Sequence, residues 1–255
     1  MKRRDLLLGI GIIGINLFAE SSFGRELPYD RNFSVDELEL IGKKHPKLYG
    51  EDHRLRRIVS EAFSEMKLEA EKDKIKLYPT SSYRDFNKQS QMWNREYESN
   101  IKENLSHDQL IKKTLKYYSI PGTSRHHWGT DIDVVDSSKV NENLPKLNPK
   151  QFEGGIFKEL NKWIKENANR FGFYIVYDNN PKRDGFEYEP WHISYAELSI
   201  PLLKQYMETK IQKYIADKTV KGHTNFSREF VVNYKNTYGM DINPLLISLD
   251  TKRNR

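Results

Sequence analysis

Two short stretches far apart in the sequence each combine histidine with a carboxylate residue at close spacing. The first is SRHHWGTDID, in which His126 and Asp133 stand seven positions apart with a glycine between them. The second is EPWH, in which Glu189 precedes His192 by three positions. Two imidazoles and one carboxylate can fill three of the four coordination positions of a zinc ion and leave the fourth for water. The remaining Glu189 is the type of base that such a water requires.

Two assignments stay open on the residues alone. His126 and His127 are neighbours, and on an extended chain they point to opposite sides, so only one of them can bind the same ion. Asp131 and Asp133 fall on the same face of an alternating segment that we predict to be a strand. Asp131 can therefore either orient a histidine ligand or compete with Asp133 for the metal.

Taken in this order, the motifs resemble those of the VanY-type zinc D-alanyl-D-alanine carboxypeptidases and their LAS-fold relatives. Those enzymes read S-x-H-x6-D and, further on, E-x-W-H. A third segment, SSYR followed by Gln89, is similar to their S-x-Y-R-x4-Q. The resemblance extends from about residue 77 to 195, and it implies that His126, Asp133 and His192 bind one zinc ion with Glu189 as the general base.

The same resemblance implies substrate contacts. Arg84 would pair with a free carboxylate of the substrate or with the oxyanion of the tetrahedral intermediate. Gln89 and Ser124 would add hydrogen bonds to the substrate. The chain departs from the family at Asp131, a position that is often a small residue, so the choice of Asp133 as the ligand depends on spacing alone.

The implied function is that of an exported zinc carboxypeptidase that removes a terminal D-alanine from peptidoglycan stem peptides. The same site would also suit an endopeptidase or an L,D-carboxypeptidase. A third hypothesis is a non-catalytic wall-binding module with a structural metal site. The presence of Arg84 favours a carboxypeptidase, because that activity requires recognition of a free carboxylate.

Charge and composition restrict the partners. The chain has 255 residues, a net charge of +6 and no cysteine, which excludes disulfides and thiolate ligands. A basic surface suits a polyanionic partner, such as an anionic wall or lipid surface. No nucleic-acid-binding motif is recognisable, so we expect no nucleic-acid partner. We expect a monomer.

The first 24 residues have the features of an export signal. A basic start at Lys2, Arg3 and Arg4 precedes a 14-residue apolar run, which is shorter than the ~20 residues of a membrane span. The arginine pair resembles a twin-arginine signal, although ordinary signals carry such pairs too. We expect an exported, periplasmic or cell-envelope protein, with transient membrane contact through this segment.

The remaining residues, 25–255, are predicted to form a single α+β domain with a small antiparallel sheet flanked by helices. The resemblance implies a LAS/hedgehog-like fold with its motif core at about 75–195 and a C-terminal helical extension over 196–255. Periodicity predicts helices over 34–44, 55–72, 86–97, 109–118, 156–171, 201–218 and 226–238. Alternation predicts strands over 75–78, 130–135, 173–177 and 186–195.

Overall fold

The computed structural model describes residues 33–101, 103–140 and 146–248, so the proposed export signal lies outside the described residues. The described residues form a four-stranded antiparallel sheet in the order β1-β2-β4-β3. The strands are β1 (Leu77–Ser81), β2 (Asp131–Asp136), β3 (Phe173–Ile175) and β4 (His192–Tyr195). The predicted α+β class and the small antiparallel sheet are confirmed.

The register of the two central strands places the two sequence motifs side by side. Asp133 of β2 pairs directly with His192 of β4, and Asp131 pairs with Ser194. On the other side of β2, Asp133 is opposite Ser81 of β1. Directly opposed residues on antiparallel strands have their Cβ atoms about 5 Å apart. The sheet itself therefore brings Asp133 and His192 within reach of one ion.

Helices surround this sheet, and the core lies between the sheet and two of them, Arg57–Lys72 and Lys158–Asn167. Its members include Val59, Phe63 and Met66 from the first helix, Leu160 and Ile164 from the second, and Ile132, Val134 and Ile193 from the strands. The helices are α1 (Glu37–Leu40), α2 (Arg57–Lys72), α3 (Phe86–Ile101), α4 (His107–Thr114), α5 (Pro149–Glu153), α6 (Lys158–Asn167), α7 (Ala196–Glu208), α8 (Gln212–Ile215) and α9 (Arg228–Tyr234).

Local sequence signals account for most helix boundaries. Ser106 caps α4 in a capping box with Gln109. Gly172 ends the predicted 156–171 helix in the left-handed conformation at φ 80°. The helix predicted from residue 34 begins only at Glu37, where the Asp36 side chain caps it by accepting from the backbone N–H of Leu38.

Two predicted elements differ from the structure around the second motif. Of the predicted 186–195 strand, only β4 is a strand. Pro190 lacks the N–H that a hydrogen-bonded ladder needs, and the chain turns there. In that turn the N–H of His192 donates to the Glu189 carbonyl at 3.1 Å. The helix predicted to start at Pro201 begins instead at Ala196, directly after β4, and carries Pro201 inside it.

Within the described residues, no helix is both long enough and apolar enough to cross a bilayer.

Gly172 offers a test of the turn that leads into β3. An added Cβ would lie 2.8 Å from the Tyr195 ring, and φ is +80°. We expect Gly172→Ala to lower the free energy of unfolding by about 1–3 kcal/mol, because a non-glycine residue is strained in this conformation. Gly154→Ala is the control, since a Cβ there meets nothing within 4 Å. Urea denaturation of both variants measures the difference, and equal stabilities would contradict the argument.

Candidate metal centre

His126 lies on a 3-10 helix, Arg125–Trp128, that delivers its ring to the end of the sheet. The Ser124 hydroxyl accepts from the N–H of His126 at 3.3 Å, and Gly129 at φ 69° turns the chain into β2. The Nδ1 of His126 lies 2.7 Å from the Ser82 carbonyl oxygen. A carbonyl can only accept, so Nδ1 carries the proton and Nε2 presents a lone pair. That Nε2 is buried and has no hydrogen-bond partner among the described residues.

His127 has a different role, which separates the two neighbouring histidines. Its Nδ1 donates to the Arg84 carbonyl at 2.6 Å, and its Nε2 accepts from the Gly122 N–H at 3.1 Å. Both ring nitrogens are therefore used in binding the backbone of two other segments. Burial lowers the pKa of His127 to about 3, so the ring is neutral at physiological pH. His127 is a structural residue, and His126 is the one available to a metal.

The three predicted ligands converge. One ligand atom from each of His126, Asp133 and His192 can be chosen so that all three lie within 4.8 Å of one another. Nε2 of His126 is 3.5 Å from Oδ2 of Asp133, and Nδ1 of His192 is 4.0 Å from Oδ1 of the same carboxylate. Like Nε2 of His126, Oδ1 of Asp133 is buried without a partner in the part of the chain described. These unused lone pairs fit a divalent cation, and the donor set suits zinc.

Asp131, whose role the sequence left open, is occupied by other donors. Its carboxylate accepts from Arg125 Nε at 2.8 Å, Ser194 Oγ at 2.9 Å and Thr130 Oγ1 at 2.6 Å. It also accepts from Nε2 of His192 at 3.1 Å. Because Nε2 of His192 is used in this contact, Nδ1 is the ring nitrogen that remains available to a metal. Asp131 is therefore the residue that orients His192, and Asp133 is the carboxylate left for the ion.

Glu189 lies beside this set. Its Oε2 is 3.1 Å from Nδ1 of His192, and its side chain is buried. Burial raises the pKa of Glu189, although its hydrogen bond with His192 opposes the shift. Glu187, the other acidic residue of this segment, is half exposed and pairs with Lys116 at 3.3 Å on the surface. The structure thus places Glu189 at the site and Glu187 away from it.

The two histidine ligands have opposite pKa shifts. Burial, followed by the nearby Arg84 charge, lowers the pKa of His126 to about 4. Burial also acts to lower the pKa of His192, but its hydrogen bonds to Asp131 and Glu189 raise it to about 9. For Asp133, burial raises the pKa, but the adjacent His126 outweighs it and the net shift is downward. Without a metal, the proton on Nδ1 of His192 supplies the positive charge that these carboxylates need.

The three predicted substrate-binding residues lie around the same end of the sheet. Arg84 is partly buried, and its charge acts on both Asp133 and Glu189. Its Nε has no hydrogen-bond partner in the described regions. Gln89 is fully buried, donating from Nε2 to the Ser119 carbonyl at 2.8 Å, while its Oε1 accepts no hydrogen bond from a described residue. The Ser124 hydroxyl caps the 3-10 helix, so its predicted contact with substrate stays a prediction.

Sequence reasoning missed Arg125 and Tyr177. Arg125 is buried and binds both Asp131 and Ser194, the latter from Nη2 at 2.9 Å. The Tyr177 ring packs edge-on against His192, with ring centroids 5.2 Å apart. The pairing of an arginine and an aspartate six positions apart within one motif was the available signal for Arg125. Tyr177 carried no signal, because it lies outside both motifs.

Fold and site together define a class of protein: an α+β chain with one mononuclear metal centre of two histidines and an aspartate, beside an uncoordinated glutamate. The chain belongs to the VanY D-alanyl-D-alanine carboxypeptidase family, whose profile matches residues 52–198.

Several characterised and uncharacterised proteins are similar to this chain. A D-alanyl-D-alanine carboxypeptidase of Enterococcus faecium is 28% identical over 189 residues, covering 70% of this chain and 52% of that protein. An uncharacterized protein of Haemophilus influenzae is 38% identical over 82 residues, covering 31% of this chain and 63% of that protein. The chain thus spans between about half and just under two thirds of the length of these relatives.

Among solved structures, VanYB in complex with D-alanine-D-alanine has the same fold. Its TM-score is 0.51 at 21% identity, with 66% of this chain and 91% of that chain covered.

The two adjacent histidines can be distinguished experimentally. We expect His126→Ala to lose stoichiometric binding of a divalent metal while remaining folded, because Nε2 has no role within the described fold. We expect His127→Gln to keep the metal but to lose about 1–3 kcal/mol of stability, because it disturbs two buried hydrogen bonds. Metal content by elemental analysis and urea denaturation check both variants. Loss of metal in His127→Gln with full binding in His126→Ala would reverse the assignment.

Metal binding should release a proton. The pKa of His192 is raised to about 9, so at pH 7 its Nδ1 is protonated, and binding requires the lone pair of that nitrogen. We expect the His192 ring to release about one proton at pH 7 and none above its own pKa, where the ring is already neutral; a metal-bound water can add its own proton at higher pH. Calorimetry in buffers of different ionisation enthalpy measures this number. A binding heat at pH 7 that does not depend on the buffer would contradict it.

Proposed function

We propose that this protein is a zinc-dependent D-alanyl-D-alanine carboxypeptidase that acts on peptidoglycan stem peptides. The observation that supports it most is the meeting of His126, Asp133 and His192 on one point, with Glu189 3.1 Å from the third of them. The family supports the reaction class. The related carboxypeptidase of Enterococcus faecium and the D-alanine-D-alanine complex of VanYB support the choice of substrate.

Glu189 is the proposed proton carrier. When bound, zinc supplies a Lewis acid that lowers the pKa of a water ligand to about 7 and polarises a carbonyl. Glu189 accepts the proton from the attacking water and donates it to the leaving amine. Its raised pKa favours the first step, because a stronger base takes up the proton of the water more readily.

Arg84 is the proposed anion contact. It is a guanidinium with an unused Nε–H at the site, so it can bind the terminal carboxylate of the substrate or the oxyanion that forms during attack. The free Oε1 of Gln89 and the Ser124 hydroxyl are the proposed polar contacts to the substrate. We further propose that residues 1–24 direct export, because the substrate lies outside the cytoplasm, and that the protein acts as a monomer.

Glu189→Gln tests the catalytic role. We expect the variant to keep stoichiometric zinc, because Glu189 is not among the ligands, and to lose at least about 100-fold in kcat, because an amide cannot take up the proton. Glu187→Gln is the matched control and should retain activity. The assay is release of D-alanine from a purified pentapeptide, with zinc measured in the same sample. Unchanged turnover in Glu189→Gln would favour the non-catalytic wall-binding alternative.

The carboxypeptidase and endopeptidase alternatives differ in their need for a free carboxylate. We expect a C-terminally amidated pentapeptide to be hydrolysed at least about 10-fold more slowly than the free acid, and Arg84→Met to remove most of that difference. Mass spectrometry of the products from defined muropeptides identifies the bond. Cleavage of the amidated peptide at an equal rate, or of cross-linked dimers at an internal bond, would establish an endopeptidase. Cleavage confined to a tetrapeptide would establish an L,D-carboxypeptidase.

A further inference from the structure

A small cavity is lined in part by Arg125, the residue that binds Asp131. Its volume is about 10 Å³, and a water molecule needs a space of about this size. Residues within and after the matched family region build it. Its lining consists of Thr123, Arg125, Trp128, Tyr177, Phe186, Leu203, Tyr206, Tyr234, Tyr238 and Gly239.

Two buried polar groups of this lining lack a partner. Arg125 uses Nε for Asp131 and Nη2 for Ser194, but its Nη1 is buried with no hydrogen-bond partner among the residues described. The same holds for the hydroxyl of Tyr206, which is 2% exposed. Leaving two such donors unsatisfied would cost about 1–3 kcal/mol each, and more for the charged one.

The surrounding groups do not relieve this deficit. The Thr123 hydroxyl donates to the Ile120 carbonyl at 2.7 Å and meets the Tyr234 hydroxyl at 2.6 Å, and the Tyr206 hydroxyl is not in hydrogen-bond geometry with it. Asp131 binds the guanidinium through Nε, not through Nη1. The Trp128 ring covers the guanidinium face, with 4.6 Å between Cζ and the ring centroid. Neither Nη1 of Arg125 nor the Tyr206 hydroxyl therefore has an acceptor among the described residues.

We propose that this cavity binds one hydrogen-bond acceptor of about the size of water, either a water molecule or a halide ion, between Nη1 of Arg125 and the hydroxyl of Tyr206. The bound acceptor links Tyr206 of α7 to Arg125. Arg125 in turn binds Asp131, and Asp131 binds His192. The C-terminal helices thereby support a metal ligand of a site that they do not enter, and this last role rests on the proposed function. Occupancy of the cavity itself does not depend on zinc or on activity.

The first test is a crystal structure of the full chain at a resolution that shows ordered water. We expect one peak within about 2.7–3.3 Å of both Nη1 of Arg125 and Oη of Tyr206. A bromide soak separates the two sources, because an anomalous peak at this position identifies a halide and its absence with the density retained identifies water. An empty cavity would overturn the proposal whatever the enzyme does.

The second test uses stability and predicts a sign. If the hydroxyl of Tyr206 contacts a bound acceptor, Tyr206→Phe removes a real hydrogen bond, and Tm should fall by about 2–4 °C. If the hydroxyl is unpaired, the same change removes an unsatisfied group, and Tm should stay the same or rise. Ser199→Ala is the matched control, because its hydroxyl on α7 is also buried without a described partner but does not line the cavity. A Tyr206→Phe variant no less stable than wild type would contradict the proposal.

Discussion

The structure depends on the balance of charge around His192. Three carboxylates, those of Asp131, Asp133 and Glu189, lie within hydrogen-bond or ion-pair distance of its ring nitrogens. Burying unpaired carboxylates is costly, so this cluster requires cations. Arg125 compensates Asp131, and Arg84 acts on the other two. A protonated His192 completes the balance without a metal, and a divalent ion with a neutral His192 can replace it. On binding a metal, the site would exchange a proton for the ion without leaving a buried acid uncompensated.

The fold separates the three carboxylates by what each is bonded to. Asp131 accepts from four side chains and has no capacity left for an ion, whereas one oxygen of Asp133 has no described partner. Glu189 stands on a turn outside the ladder, so it reaches the same nitrogen from another direction. Strand register, turn geometry and hydrogen-bond saturation thus give three chemically identical groups three different roles. None of the three depends on an unusual backbone conformation.

The sequence was sufficient to predict the helices and strands that have strong periodicity, and to predict the residue types of the site. The family resemblance selected His126 and His192, spacing selected Asp133 over Asp131, and the structure brings the three together. Spacing could not predict the role of a residue whose hydrogen-bond partners come from distant segments. His127 is structural because Arg84 and Gly122 lie against it, and Asp131 is saturated because Arg125 and Ser194 reach it. The 186–191 segment was predicted as strand because alternation cannot detect that Pro190 interrupts the ladder.

Residues beyond the family match hold the segments that lead to the site, although sequence patterns assigned them no role. Strand β3 is a sheet edge, and Asn243 covers it by donating from its backbone N–H to Val176 at 2.9 Å and from Nδ2 to Ile175 at 3.0 Å. Asp241 holds the segment between β3 and β4 through the N–H of Gly185 at 2.6 Å. That segment leads directly into Glu189 and His192. The position of Glu189 relative to His192 is therefore fixed in part by a C-terminal region that the two motifs do not include, and changes in that region can alter the site without changing any motif residue.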